Sequence, residues 1–135
     1  MGESKTSASN EAERYKVSGE KFSAELDTSQ GEPIVRFTGT VSTANPAAIL
    51  NPFIDDVHDA VARAGSKIVT VDFNAFEFCN SSGFKSFIYW IERVRELPEE
   101  NQYRLRFLVA PGRRWQRTSL LVLTCFATDA VEIAA

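Results

Sequence analysis

The sequence predicts an α/β fold in which one domain is built on a mixed sheet of four to five strands. Short apolar runs with strand character alternate with long amphipathic segments through most of the chain. Two further strand-like runs, residues 21–27 and 34–41, lie close together near the start. The length of 135 residues and the 44% hydrophobic content suit one domain with its own core. The predicted element order is β-β-α-β-α-β-α-β.

The first two predicted strands form a hairpin. Residues 21–27 alternate apolar and polar side chains, the pattern of a half-buried strand. Residues 28–33 are typical turn residues, and this short connection favours an antiparallel pair. Residues 1–18 are polar and have no apolar periodicity, so we expect a flexible N-terminal tail and a domain that covers residues 19–135.

The first predicted helix follows this hairpin. Asn45 is placed as its N-cap and Pro46 lies in the first turn, where the fixed φ of proline suits a helix. The helix should end near Gly65. Its buried stripe follows the helical period and consists of Ile49, Leu50, Phe53, Ile54, Val57 and Val61.

The centre of the chain places two adjacent serines where a strand leads into a helix. Residues 67–72 are predicted as a buried strand and residues 76–79 as a second, short extended piece. Ser81 and Ser82 then open an amphipathic helix that ends near residue 97. A helix N-terminus favours negative charge because its N–H groups are unpaired and its dipole is positive there. A hydroxyl at this position can be a helix cap, a nucleophile or a phosphate acceptor.

The remaining predicted elements are a strand at 103–109, a helix at 113–126 and a short strand at 130–133. Strands joined by a helix should be parallel, with a right-handed crossover. Their carboxyl ends then share one edge of the sheet, where ligands and partners of α/β proteins usually bind. We therefore expect Arg113 and Arg114 near Ser81, where they would contact a phosphate or an acidic partner. The alternative is that both are solvated loop charges.

Composition argues against several classes of function. The net charge of −3 does not suit a general nucleic-acid binder, and no apolar run approaches the roughly 18 residues of a membrane span. No signal peptide is visible. Two cysteines and one histidine make no zinc site, so no metal or cofactor is expected. Cys79 and Cys125 are predicted as buried apolar residues in a reducing cytosol, with a redox switch at Cys79 as the alternative.

Catalysis by Ser81 would need a general base, usually a histidine held by a carboxylate. His58 is the sole histidine and falls in the middle of the first helix, where we expect a surface or boundary position. The chain contains no G-x-S-x-G turn, no glycine-rich phosphate loop and no convincing carboxylate pair. The protein is therefore predicted not to be an enzyme.

The segment around the serines resembles the signature of the STAS domain of anti-sigma factor antagonists. That family shows a hydrophobic strand ending in Asp and then D-S-S-G-L at a helix start, matched here by residues 68–72 and by Asn-Ser-Ser-Gly-Phe at 80–84. The order of elements agrees from about residue 20 to the C-terminus. By position, Ser81 is the family's phospho-acceptor, with Ser82 as the alternative. Asn80 stands where many members have Asp, so it can cap the helix but carries no charge.

The resemblance implies a non-enzymatic partner-switching regulator in the bacterial cytoplasm. It also implies a serine kinase of the GHKL anti-sigma type that binds this protein and phosphorylates it, and a PP2C-type phosphatase that reverses the reaction. A phosphate adds roughly −2 charge to the contact surface and would disrupt docking. The partner-binding residues implied by position, together with the two arginines expected from the sheet geometry, are Ser42, Thr43, Asn45, Asn80, Ser82, Gly83, Phe84, Lys85, Arg113 and Arg114.

Two other functions remain open at the level of sequence. One is a small-ligand or nucleotide-sensing STAS module that uses the same edge of the sheet. The other is a structural assembly domain in which the serines only cap the helix.

Overall fold

The chain forms a six-stranded sheet whose spatial order is the same as its order along the sequence. The computed structural model describes residues 15–134. The strands are β1 Lys16–Ser18, β2 Phe22–Asp27, β3 Ile34–Val41, β4 Ile68–Cys79, β5 Arg104–Leu108 and β6 Val131–Ala134. The helices are α1 Ala47–Ala64, α2 Ser81–Glu96 and α3 Arg114–Phe126, with a short 3-10 turn at Glu99–Asn101.

The sheet is mixed, as predicted. The strands β1, β2 and β3 are antiparallel neighbours, and β3 to β6 are parallel. Antiparallel neighbours can be joined by short turns, whereas each parallel pair here is joined by one of the three helices. The predicted hairpin and parallel strands are therefore confirmed, and so is the predicted element order from β2 onward.

The strand count differs from the prediction because Lys16–Ser18 is a strand. Val17 pairs with Ala24 of β2, so this segment is held by the hairpin rather than by an apolar pattern of its own. Three residues are too few to show a period, which is why the sequence placed them in the tail. The predicted boundary at residue 18 is thus too late for these residues, and the rest of the predicted tail, residues 1–14, lies outside the described residues.

One face of the sheet holds the core and the other carries polar side chains. In β5, Leu105 and Phe107 are fully buried, whereas Arg104 and Arg106 between them are partly exposed. Strand side chains alternate between the two faces. The buried residues of all three helices join the same cluster as Leu105 and Phe107, so the helices cover that face. This is the arrangement expected for helices one and two, and α3 completes the cover over β5 and β6.

The strand β4 is one continuous element of 12 residues, not the two pieces predicted. Two register shifts against β3 occur where β4 contains an extra residue, between Asp72 and Ala75 and again between Phe76 and Phe78. Such bulges interrupt the alternation of side chains, which made the segment look broken in the sequence. β4 pairs with β5 only as far as Asp72 and then continues beside β3 to Cys79.

Helix ends follow the expected chemistry with one change. The helix α1 ends at Gly65, whose φ of 69° is the left-handed conformation that glycine adopts easily. Its N-cap is Pro46, with no side-chain hydrogen bond, instead of the predicted Asn45. Asn45 contributes only its carbonyl oxygen, 3.4 Å from the N–H of Ala48.

Candidate functional site

Asn80 joins the two segments that the sequence proposed as a contact surface. Its Oδ1 accepts a hydrogen bond from the N–H of Gly83 at 2.8 Å, which caps α2. Its Nδ2 donates to the carbonyl oxygen of Thr43 at 2.9 Å, and its backbone N–H donates to Val41. The loop of residues 42–45 and the start of α2 therefore form one continuous surface, hereafter the serine-turn surface.

The two serines at the start of α2 differ in their exposure to solvent. Ser81 is the first residue of α2 and is exposed, and Ser82 is half-buried. Across residues 15–134, neither hydroxyl forms a hydrogen bond, because the cap belongs to Asn80. The first turn of α2 contains no acidic residue, and Lys85 is exposed one turn after Ser81. The position thus suits a negatively charged group.

Gly83 is required by the close approach of α2 to β3. A Cβ at this position would lie 2.6 Å from Cγ1 of Val41 and 2.9 Å from Sγ of Cys79. Only glycine leaves space for these atoms without a shift of the helix. Phe84, the next residue, is half-buried, and its ring lies 6.1 Å from that of Phe87. The turn is therefore held by the packing of Gly83 and Phe84 against the protein interior, while Ser81 is exposed.

The two cysteines have different surroundings. Cys79 is half-buried at the end of β4, and burial raises the pKa of its thiol to about 12. A thiol with this pKa is protonated near neutral pH, which does not favour a redox switch. The prediction that Cys125 is buried is wrong: Cys125 is exposed. Its neighbour Phe126 is apolar, but α3 turns this side toward solvent.

Arg113 and Arg114 lie at the N-terminal end of α3. Arg113 donates to the carbonyl oxygen of Asn74 at 2.9 Å, and Arg114 is exposed without a hydrogen bond or ion pair to residues 15–134. No contact within this range joins either arginine to Ser81. The strand β4 continues from Asp72 to Cys79 after β5 has ended, and the start of α3 lies along this part of it, where Trp115 donates to the carbonyl oxygen of Glu77 at 2.8 Å.

His58 is buried, which the sequence did not predict. It is 4% exposed, its Nδ1 lies 2.6 Å from the hydroxyl of Tyr103, and Nε1 of Trp90 donates to the same hydroxyl at 2.9 Å. Burial lowers the pKa of His58. Tyr103 precedes β5, at the opposite edge of the sheet from Ser81, so His58 cannot serve as a base for that serine. Trp90 is fully buried.

Within residues 15–134, no group of three or more His, Cys, Asp or Glu side chains is placed to hold a metal ion. No helix in this range is long and apolar enough to cross a membrane. A shallow cavity of about 390 Å³ lies at the carboxyl end of β5. It is lined by Val109, Ala110, Pro111, Gly112, Arg113, Arg114, Arg117, Thr118 and Leu121.

Comparison with solved structures finds an anti-sigma factor antagonist from Mycobacterium paratuberculosis with the same fold. The TM-score is 0.52 and the sequence identity is 18%, over 86% of this chain and 90% of the other. The resemblance to the STAS fold of anti-sigma factor antagonists is therefore confirmed at the level of structure. No protein-family profile matches the chain, and no curated protein matches it either. At this identity the likeness concerns the fold, and function has to be argued from the site.

Proposed function

We propose that this protein is a partner-switching regulator of the anti-sigma factor antagonist type, controlled by phosphorylation of Ser81. The observation that carries this proposal is that the helix cap and the exposed hydroxyl belong to different residues of the turn. Asn80 caps the helix, which leaves the exposed hydroxyl of Ser81 without a structural role. An assembly domain in which the serines only cap the helix has less support, because the cap belongs to Asn80. Ser82, half-buried beside Ser81, is the alternative acceptor.

The partner in this proposal is a serine kinase of the GHKL anti-sigma type that docks on the serine-turn surface. The loop of residues 42–45 and the turn of residues 80–85 are held together by Asn80, so one partner can cover both. A phosphate on Ser81 would place roughly two negative charges at the centre of this surface. Docking would then be lost until a PP2C-type phosphatase removed the group. Arg113 and Arg114 belong to this proposal only as peripheral contacts.

The proposal is tested by expressing the tagged protein in its host and mapping phosphate by mass spectrometry. We expect one phosphate on Ser81, lost in Ser81→Ala and retained in Ser119→Ala, a matched change of a serine in α3. Co-purification should recover a kinase with Ser81→Ala and much less of it with Ser81→Glu. Phosphate on Ser82 alone would move the switch by one residue. The proposal would be contradicted if no phosphate were found and if Ser81→Ala and Ser81→Glu recovered equal amounts of the kinase.

A small-ligand sensor is the second candidate, supported by the cavity beside β5. Val109, Pro111 and Leu121 give it an apolar lining, and Arg114 and Arg117 supply positive charge for an anionic group. Addition of ATP or GTP would then raise the melting temperature of the wild-type protein. The shift should be absent in Arg114→Glu with Arg117→Glu. No shift with either nucleotide would count against this function.

A further inference from the structure

Helix α3 has two apolar faces, and only one of them is covered. Leu120 and Leu123 are fully buried against the sheet. On the opposite side, Leu121 is 53% and Val122 62% exposed, followed by the exposed Cys125. A helix with apolar residues on both sides is typical of one that is buried on both sides. The side that carries Leu121, Val122, Cys125 and the 46%-exposed Phe126 is hereafter the α3 stripe.

Positive charge is gathered at the start of this helix, where the helix dipole disfavours it. Arg114 and Arg117 lie in the first turns of α3, which has no side-chain N-cap bond and no acidic residue in its first turn. Within residues 15–134 neither of them has an ion-pair partner. The arginines that do form ion pairs there lie elsewhere, namely Arg36, Arg93, Arg104 and Arg106.

Unpaired negative charge is found at the other end of the same helix. Asp129 is exposed three residues after the end of α3, and its carboxylate has no ion-pair partner among the described residues. The carbonyl oxygens nearby are already bonded, that of Phe126 to Arg95 and that of Asp129 to Arg104, so the unpaired negative charge at this end is the Asp129 carboxylate. The α3 stripe thus lies between two unpaired arginines and one unpaired carboxylate, and a second α3 in the opposite direction would bring these opposite charges together.

We propose that two copies of this protein associate through the α3 stripe, with the two helices antiparallel. A two-fold axis near the middle of the stripe brings Leu121, Val122 and Cys125 of both copies together. It places Arg114 and Arg117 of each copy beside the C-terminal end of α3 and Asp129 of the other. Helix α3 lies over β5 and β6 and points its stripe away from the sheet, whereas the serine-turn surface lies at the end of β3 and β4, so this association does not depend on the proposed switch.

The dimer should be weak and reversible. A helix of 13 residues is about 20 Å long. One helix pair of this length buries less than the roughly 1,200 Å² at which standard stable interfaces begin. The association is therefore expected to depend on protein concentration.

The first experiment is sedimentation velocity of the full chain over a wide range of concentration. Wild-type protein should change from monomer to dimer, and Leu121→Ser should weaken dimerisation at least tenfold. Phe78→Ser is the matched control, because Phe78 is a 47%-exposed apolar residue outside α3. A wild-type monomer at every concentration would overturn the proposal and leave the stripe to a different protein. A dimer that Leu121→Ser does not weaken would overturn it as well.

The second experiment tests the antiparallel arrangement by exchanging charges. Arg114→Glu with Arg117→Glu, and separately Asp129→Arg, should each weaken dimerisation at least tenfold, because like charges then meet at both ends. A mixture of the two variants should dimerise like the wild type, since opposite charges meet again at both ends. Lys16→Glu with Lys21→Glu changes the net charge as much as Arg114→Glu with Arg117→Glu does, but at the far edge of the sheet. This control should have no effect on dimerisation. A mixture that stays monomeric would refute the antiparallel arrangement.

Discussion

Asn80 makes two hydrogen bonds that an aspartate could not both make. Its Oδ1 accepts from the N–H of Gly83, which a carboxylate would also do. Its Nδ2 donates to the carbonyl oxygen of Thr43, and a carboxylate oxygen there would face another oxygen at about the same distance. The amide therefore explains why this chain differs from the usual Asp of the STAS signature: it holds the loop of residues 42–45 to the turn.

We predict that Asn80→Asp destabilises the protein by about 1 kcal/mol. The lost bond and the facing oxygens cost about 1–2 kcal/mol. A negative charge at a helix N-terminus restores about 0.3–1 kcal/mol, so the loss prevails. Urea unfolding at pH 7 measures the difference. Asn80→Ser is the control. Serine can still cap the helix but cannot reach Thr43, so this change removes the second bond without adding a negative charge. Equal stability of Asn80→Asp and wild type would show that the bond to Thr43 contributes little.

Gly83→Ala is expected to destabilise the protein even though alanine is the better helix former. Alanine gains about 1 kcal/mol of helix propensity over glycine. The new Cβ would meet Val41 and Cys79 well inside normal contact distance. Overpacking of this kind costs typically about 1–3 kcal/mol, so we expect a net loss measured by urea unfolding. Ser82→Ala in the same turn should be nearly neutral. A stabilised Gly83→Ala would mean that α2 moves away from β3 at no cost.

At the scale of elements, Gln116 connects α3 to the irregular part of β4. Its side chain is fully buried, and its Nε2 donates to the carbonyl oxygens of Phe73 and Phe76 at 2.8 and 2.7 Å. Its Oε1 accepts from the N–H of Ala110 at 2.7 Å. These backbone groups lack ladder partners because β4 bulges there and β5 has ended. The amide of Gln116 thus provides hydrogen-bond partners for three backbone groups where β4, the end of β5 and α3 meet.

We predict that Gln116→Met, which keeps the length of the side chain, lowers the free energy of unfolding by about 3 kcal/mol. The change leaves three buried backbone groups without a partner, and each lost partner costs about 1–3 kcal/mol. Arg117→Met, at the adjacent exposed position, is the control and should change stability by less than about 0.5 kcal/mol. Thermal and urea unfolding measure both. A loss below 1 kcal/mol in Gln116→Met would indicate that water replaces the amide.

Elements with a clear period could be predicted from the sequence, and those held by distant partners could not. The stripes of α1 and α2 and the run of β3 are local patterns, and each predicted the correct element. The strand β1 exists because Val17 pairs with β2, and the continuity of β4 depends on bulges against β3. The position of the serine turn followed from local pattern. The bond of Asn80 to Thr43 spans 37 residues and has no local signal.

At the scale of the whole molecule, stability should depend on pH through His58. Burial lowers the pKa of this histidine below its ordinary 6.5, so the unfolded chain binds a proton more readily than the folded one. The contribution of neutral His58 to the free energy of unfolding is complete above pH 6.5. It decreases as the pH falls from there toward the lowered pKa of His58 in the folded state. No other side chain type titrates ordinarily between pH 5 and 7.

We therefore expect the free energy of unfolding to fall between pH 7 and pH 5 in the wild type and to change much less in His58→Gln. Urea unfolding at several pH values measures both slopes. Glutamine cannot take up a proton, but it keeps a polar group opposite Tyr103. A wild-type stability that is constant over this range would show that His58 is protonated as readily in the folded state as in the unfolded one.

The sheet has a consequence for how the chain assembles. Each strand is placed beside the strand synthesised just before it, and none has to enter between two earlier ones. The two antiparallel pairings join segments that are close in sequence, whereas the three parallel pairings join residues 26 to 38 positions apart, a separation associated with slower folding. As the chain leaves the ribosome, the sheet can grow from its N-terminal hairpin one strand at a time. The strand that joins the sheet last is β6, next to α3, so the surface proposed for self-association forms only after the other five strands are in place.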